Sequence, residues 1–136
     1  MQRTATCTCG QLSITLKGNP FRVHCCNCTE CHRLTGSAFS TGAYFDDEQI
    51  SSISGEHKAY TRSGDFGRKI TSHFCPTCGV TVFWNAELLA GKTGVSVGCF
   101  DDLQEFPRPA MAAWCRSKFP WIEFAPEIPQ SQQQTS

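Results

Sequence analysis

Hydrophobic residues recur along this chain with a period of two far more often than with the 3.6 of a helix. Leu12, Ile14 and Leu16 alternate with polar neighbours, the pattern of a half-buried strand, and Gly18, Asn19 and Pro20 close it with a turn. Residues 39–45 place Phe39, Thr41, Ala43 and Phe45 on one face, so another strand is expected there. Ile70, Ser72 and Phe74 lead up to Cys75, and Val80, Val82 and Trp84 lead away from Cys78, which predicts strands on either side of a tight turn. Val95 and Val97 predict a strand before Cys99, and residues 121–124 a last one. Helical signal is local: residues 29–34, 86–90 and 109–114 each suffice for a turn or two. Short strands punctuated by Gly, Pro, Asp and Ser predict an all-β or β-rich domain. From Gln130 on, the chain has nothing to bury. The expected division is therefore one domain over residues 1–129 and a disordered tail over 130–136.

Composition narrows the function classes. A length of 136 residues suits one domain, and a hydrophobic content of 40% suits a globular core. Twelve Lys and Arg balance twelve Asp and Glu, and the pI is near 6.9. That neutrality argues against nucleic acid or an anionic membrane as partner. No apolar run reaches the length of a membrane helix, and the first nine residues lack the basic start and apolar core of an export signal. A cytoplasmic location is expected, and with it reduced cysteines.

The cysteines carry the chemistry. Seven of the ten fall into three clusters: Cys7 with Cys9, then Cys26, Cys28 and Cys31, then Cys75 with Cys78. The outer clusters supply four thiolates, enough to close one tetrahedral zinc. Cys75-Pro-Thr-Cys78-Gly79 reads as a zinc knuckle. A redox dithiol there would more naturally open a helix in a βαβ unit. The middle cluster supplies three thiolates, and a metal with three protein ligands keeps a position open, the usual mark of a catalytic zinc. Other readings of that cluster stay open. One of its cysteines completes the first site, or Cys25, Cys99, Cys115, His24 or His32 supplies a fourth ligand. Cys25 neighbours Cys26 and points to the opposite face of an extended chain. Cys99 and Cys115 sit among apolar residues and read as core. An open zinc site favours thiolate over thiol and polarises a carbonyl, which suits bond-making between sulfur and carbon. No Gly-rich phosphate loop, nucleophile elbow or His-Glu-x-x-His helix competes.

In this order the clusters resemble the glutathione-dependent formaldehyde-activating enzyme family (the GFA, or CENP-V/GFA, domain). The resemblance runs from Cys7-Thr-Cys9-Gly10 through Cys26-Asn-Cys28-Thr-Glu-Cys31-His-Arg33 and Gly36-Ser-Ala-Phe39 to Phe74-Cys75-Pro-Thr-Cys78-Gly79. It continues into Gly98-Cys-Phe-Asp101-Asp102 and Pro120-Trp121. It implies an Mss4-like fold of short antiparallel strands with one structural zinc, on Cys7, Cys9, Cys75 and Cys78, and one catalytic zinc, on Cys26, Cys28 and Cys31. The implied activity is a carbon–sulfur lyase reaction of the S-(hydroxymethyl)glutathione synthase type, with a small-molecule thiol such as glutathione and formaldehyde as partners. Arg33 is a candidate for a substrate carboxylate and Ser63 for the cleft wall. Phe39, Trp84, Trp114 and Trp121 read as core. Two further functions stand beside the enzyme: a zinc-stabilised protein-binding module, and a glutathione carrier without catalysis.

Overall fold

The computed structural model describes residues 1–64, 67–102 and 106–133. Its architecture is β-rich, as the period-two pattern requires. Three strands, β1 (Gln2–Thr6), β2 (Ser13–Lys17) and β5 (Ile50–Ser54), form an antiparallel sheet in the order β1-β2-β5. Seven more form a second sheet: β3 (Arg22–Cys26), β4 (Ser40–Asp46), β6 (Lys58–Ser63), β7 (Lys69–Phe74), β8 (Thr81–Ala86), β9 (Lys92–Ser96) and β10 (Met111–Ala113). Their order is β10-β3-β4-β9-β8-β7-β6, antiparallel except where β10 runs parallel to β3. One α-helix, α1 (Thr29–Thr35), leaves the end of β3. Among the described residues no helix is long and apolar enough to cross a membrane.

The two faces of the larger sheet divide the work. Register places Val23 opposite Ala43, Ala43 opposite Val95 and Val95 opposite Phe83. That row is buried and joins Ile14, Leu16 and Ala5 of the smaller sheet in one core. Each fully buried Leu, Ile or Phe there contributes about 1.5–3 kcal/mol. Residues one step along point the other way. The opposite face carries Cys26 beside Ser40, and the row Tyr44, Gly94, Trp84, Ser72 and Tyr60. The sheet thus offers its second face for chemistry.

Several expectations are corrected. Residues 109–114 are not a helical turn. Met111–Ala113 is the edge strand β10, because Ala112 and Ala113 are small enough to lie buried beside β3 and the Ala110 N–H already reaches the Val23 carbonyl at 2.8 Å. Residues 121–124 form no strand; the Ile122 N–H turns back to the Phe119 carbonyl at 3.0 Å, and Phe124 packs on Phe39 with ring centroids 5.5 Å apart. Val97 belongs to a 3-10 turn, Val97–Cys99, rather than to a strand. The first residues of the expected tail pair with β10. Gln130 bridges Ala112, the Ser131 N–H donates to the Ala112 carbonyl at 2.9 Å, and the Ser131 carbonyl accepts from Cys115 N–H at 2.9 Å. The free edge of β10 needs those backbone partners more than it needs apolar side chains; residues 134–136 lie outside the described residues.

Candidate metal centre

The first cluster joins two hairpin ends of matching construction. Cys7 follows β1 and its N–H bonds the Leu12 carbonyl at 3.0 Å; Cys75 follows β7 and its N–H bonds the Val80 carbonyl at 3.0 Å. Each loop turns through a glycine at positive φ, Gly10 at 86° and Gly79 at 82°, a conformation that other side chains resist. The turns aim N–H groups at sulfur. Leu12 N–H lies 3.3 Å from Cys7 Sγ, and Cys75 Sγ receives the Gln11 amide at 3.2 Å and the Thr77 N–H at 3.4 Å. Burial pushes the Cys75 thiol up, but these donors and the Cys78 N–H outweigh it and hold it at about 6. The Sγ atoms of Cys7 and Cys9, and of Cys9 and Cys75, are each 3.7 Å apart, and all four sulfurs lie within 4.8 Å of one another. Sulfurs about 2.3 Å from a tetrahedral zinc are about 3.8 Å apart, so the cluster fits such an ion.

The second cluster lies on the open face of the larger sheet. Cys26 ends β3, Cys28 caps α1 and Cys31 sits in its first turn. Cys28 Sγ accepts the Cys31 N–H at 3.3 Å, so the ligand is also the helix cap. Between Cys26 and Cys28, Asn27 is fully buried, and its N–H and side-chain amide both donate to the Ala113 carbonyl, at 3.0 and 2.9 Å, pinning the loop to β10. The three sulfurs lie within 4.8 Å of one another and are half-buried. The neighbouring Cys26 and Cys31 hold the Cys28 thiol well below its usual range, with help from the Cys31 N–H and the Arg62 charge. Cys26 is shifted the opposite way. This cluster also fits a soft ion, with three protein ligands rather than four.

Neither histidine joins it. His24 packs against Tyr44 at 6.2 Å between rings, and His32 against Phe119 at 4.9 Å. Cys25 turns to the opposite face, buried with Ala112 and Cys115. Cys99, expected in the core, is half-buried beside the first cluster. Arg33 and Ser63 are exposed, on the last turn of α1 and at the end of β6, and neither lines a described cavity.

Residues that the sequence did not single out stand nearer. Ser40 stands opposite Cys26 in register, on the same face of the sheet. Arg62, on β6, acts electrostatically on Cys28. Trp84 is not core: it is half-buried on the open face, its Nε1–H 3.4 Å from the Tyr44 hydroxyl. Trp121, also expected in the core, is 70% exposed. Burial raises the Tyr44 pKa, so its phenol keeps its proton. The indole of Trp84 lies over two glycines. A Cβ on Gly42 would stand 2.6 Å from the ring and one on Gly94 2.4 Å. Gly94→Ala is therefore expected to cost about 2 kcal/mol through overpacking and to shift the indole. Thermal melting and near-ultraviolet circular dichroism measure both; an unchanged melt would mean the indole is not held there.

These features define a class: a β-rich domain with two thiolate clusters at strand ends, each able to hold a metal ion. The chain belongs to the family of glutathione-dependent formaldehyde-activating enzymes, whose model matches residues 2–117. A Fusarium vanettenii protein named "Putative glutathione-dependent formaldehyde-activating enzyme" is 31% identical over 81 residues, and an Aspergillus terreus protein of the same name is 31% identical over 83. The matches cover 60% of this chain and 42% of each relative, so the chain spans under half the length of these relatives. A Rhodobacter sphaeroides protein of known crystal structure shares the fold, with a TM-score of 0.59 at 20% identity over 75% of this chain and 91% of that one.

Proposed function

We propose that the chain is a zinc enzyme of the carbon–sulfur lyase type, which brings a small-molecule thiol and an aldehyde together at Cys26, Cys28 and Cys31. The observation that carries this reading is the three-sulfur cluster itself: half-buried, reachable from solvent, and one ligand short of tetrahedral closure. Zinc bound there supplies Lewis acidity, favouring thiolate over thiol and polarising a carbonyl. The chain's own residues do the rest. Asn27 and the Cys31 N–H hold the ligand loop, and the Arg62 charge favours thiolate at Cys28. Trp84 lines the adjoining groove, with its Nε1–H 3.4 Å from the Tyr44 hydroxyl. In the forward reaction the substrate's S–H proton is lost, a sulfur–carbon bond forms, and the carbonyl oxygen gains a proton, giving an S-hydroxymethyl thioether (a hemithioacetal) from formaldehyde. Cys7, Cys9, Cys75 and Cys78 hold a structural zinc in this reading, residues 1–129 form the working domain, and the site of action is cytoplasmic. The names of the fungal relatives make glutathione and formaldehyde the first pair to try.

The test is metal content per chain, by elemental analysis of protein purified without chelator, paired with exchange NMR of thiol and formaldehyde. The expected result is about two zinc per chain and thiol–aldehyde interconversion faster than in solution. One zinc, with no acceleration after zinc is restored, would favour a zinc-stabilised binding module. Saturable glutathione binding without acceleration would favour a carrier.

A further inference from the structure

A groove of about 460 Å³ runs along the open face from α1 to the Cys75–Cys78 turn, within the range of about 300–1,000 Å³ usual for small-molecule sites. It meets the three-cysteine cluster through Ser40, which stands opposite Cys26 in register, and through Leu34 and Thr35, whose helix carries Cys31. Trp84 forms its floor, and Leu34, Phe39 and Val80 its apolar walls. Its polar side chains are hydroxyls, thiols and the Trp84 indole, and three hydroxyls are already committed: Ser96 Oγ donates to the Thr81 carbonyl at 2.7 Å, Thr35 Oγ1 to the Cys31 carbonyl at 2.9 Å, and Thr41 Oγ1 pairs with Cys25 Sγ at 3.6 Å. Among the described residues, none that lines the groove is Lys, Arg, His, Asp or Glu. Cys78 closes the far end. Four thiolates around one divalent ion leave two negative charges there, and three thiolates leave one at the near end.

This lining has a chemical consequence. Glutathione carries two carboxylates and one ammonium at neutral pH. A carboxylate laid in this groove loses water and meets no cation among the lining residues, and the sulfur clusters at both ends repel it. An amide or hydroxyl needs only the hydroxyl and backbone partners that the groove has. We propose that the groove holds the body of the thiol substrate and selects an uncharged thiol, bearing amide or hydroxyl groups on an apolar frame, over glutathione. The inference rests on the thiol-activating reading of the cysteine cluster and departs from the thiol in the relatives' names.

Thioethers test the groove without the chemistry, because a methylated sulfur cannot react. In zinc-loaded, nitrogen-15-labelled protein, the indole N–H signal of Trp84, assigned with Trp84→Phe, is followed while three compounds are added: N-acetyl-S-methylcysteamine, S-methylglutathione, and the diethyl ester of S-methylglutathione. The uncharged thioether should move the Trp84 signal saturably, with at least tenfold tighter binding than S-methylglutathione. The diester should fall between them. Leu34→Arg, at the exposed mouth of the groove, should raise the affinity for S-methylglutathione at least fivefold relative to the uncharged compound. Equal or tighter binding of S-methylglutathione would overturn the proposal, as would a Trp84 signal that no thioether moves. If that glutathione binding were lost in Arg33→Ala, the exposed arginine would be the carboxylate site instead. The two readings fail separately. Selective thioether binding without thiol turnover would sink the enzyme, whereas turnover of glutathione with S-methylglutathione seated at Trp84 would sink only the selectivity.

Discussion

Cys75→Ser is expected to leave the chain largely unfolded at 25 °C, or to lower its melting temperature by at least about 20 °C. Cys75 is fully buried at the junction of the two hairpin ends, and its sulfur gathers three N–H groups, from Gln11, Thr77 and Cys78. A hydroxyl in its place is a poor ligand for a soft ion at neutral pH and leaves those donors aimed at a shorter, misplaced atom. The larger loss is the metal. Structural zinc contributes about 10–16 kcal/mol in small zinc domains, against a net stability of about 5–15 kcal/mol for a typical domain. A domain of this size that binds β1–β2 to β7–β8 through one ion has little margin without it. Cys115→Ser is the control: it is also buried, but its sulfur lies outside both clusters, and its cost should be about 1–3 kcal/mol. Circular dichroism with thermal melting separates the two. Equal melting temperatures for both variants would remove the structural role from the first cluster.

How much of this was legible in the sequence depended on whether a residue's role left a local mark. Ligand spacing did within each short run, where gaps of one or two residues bring the sulfurs together, whereas the meeting of Cys7 and Cys9 with Cys75 and Cys78 needed two hairpin ends to converge. Strands with one buried face were also legible, as at Ile14 and Leu16, where burial imposes alternation. Strands β5 and β6 were not, because they are exposed almost throughout and carry no alternation to read. β10 was hidden for the opposite reason, since Ala112 and Ala113 suit a helix as well as a buried edge. The groove was the least visible feature. Trp84 reads as core until the register places it opposite Gly94, where the missing side chains let the indole lie flat on the open face. Arg62 acts on Cys28 through its charge from a strand far along the chain, and no local pattern marks such an effect. Arg33, adjacent in sequence to the cluster, faces solvent instead.

Cys28→Ser should have the opposite profile: an intact fold and a lost reaction. Cys28 caps α1, and serine is among the best residues for that position, so the hydroxyl inherits the Cys31 N–H and the helix is kept. The buried parts of the loop, Asn27 and its bonds to Ala113, are untouched. The melting temperature should therefore stay within about 4 °C of the parent, the equivalent of roughly 1 kcal/mol. Metal content should fall by about one ion per chain, because two thiolates do not hold zinc against solvent as three do. Turnover of thiol and aldehyde should drop at least about 100-fold, the scale of losing a group that stabilises developing charge. Arg62→Gln should sit between parent and Cys28→Ser, with metal retained and activity lowered, since it removes a charge that favours thiolate at Cys28 but removes no ligand. The pair of variants separates holding the ion from tuning the sulfur around it. A Cys28→Ser protein with full metal and full turnover would move the chemistry away from this cluster. One that lost metal but bound uncharged thioethers as before at Trp84 would mean that the groove recognises the substrate body and the cysteines act only on its sulfur.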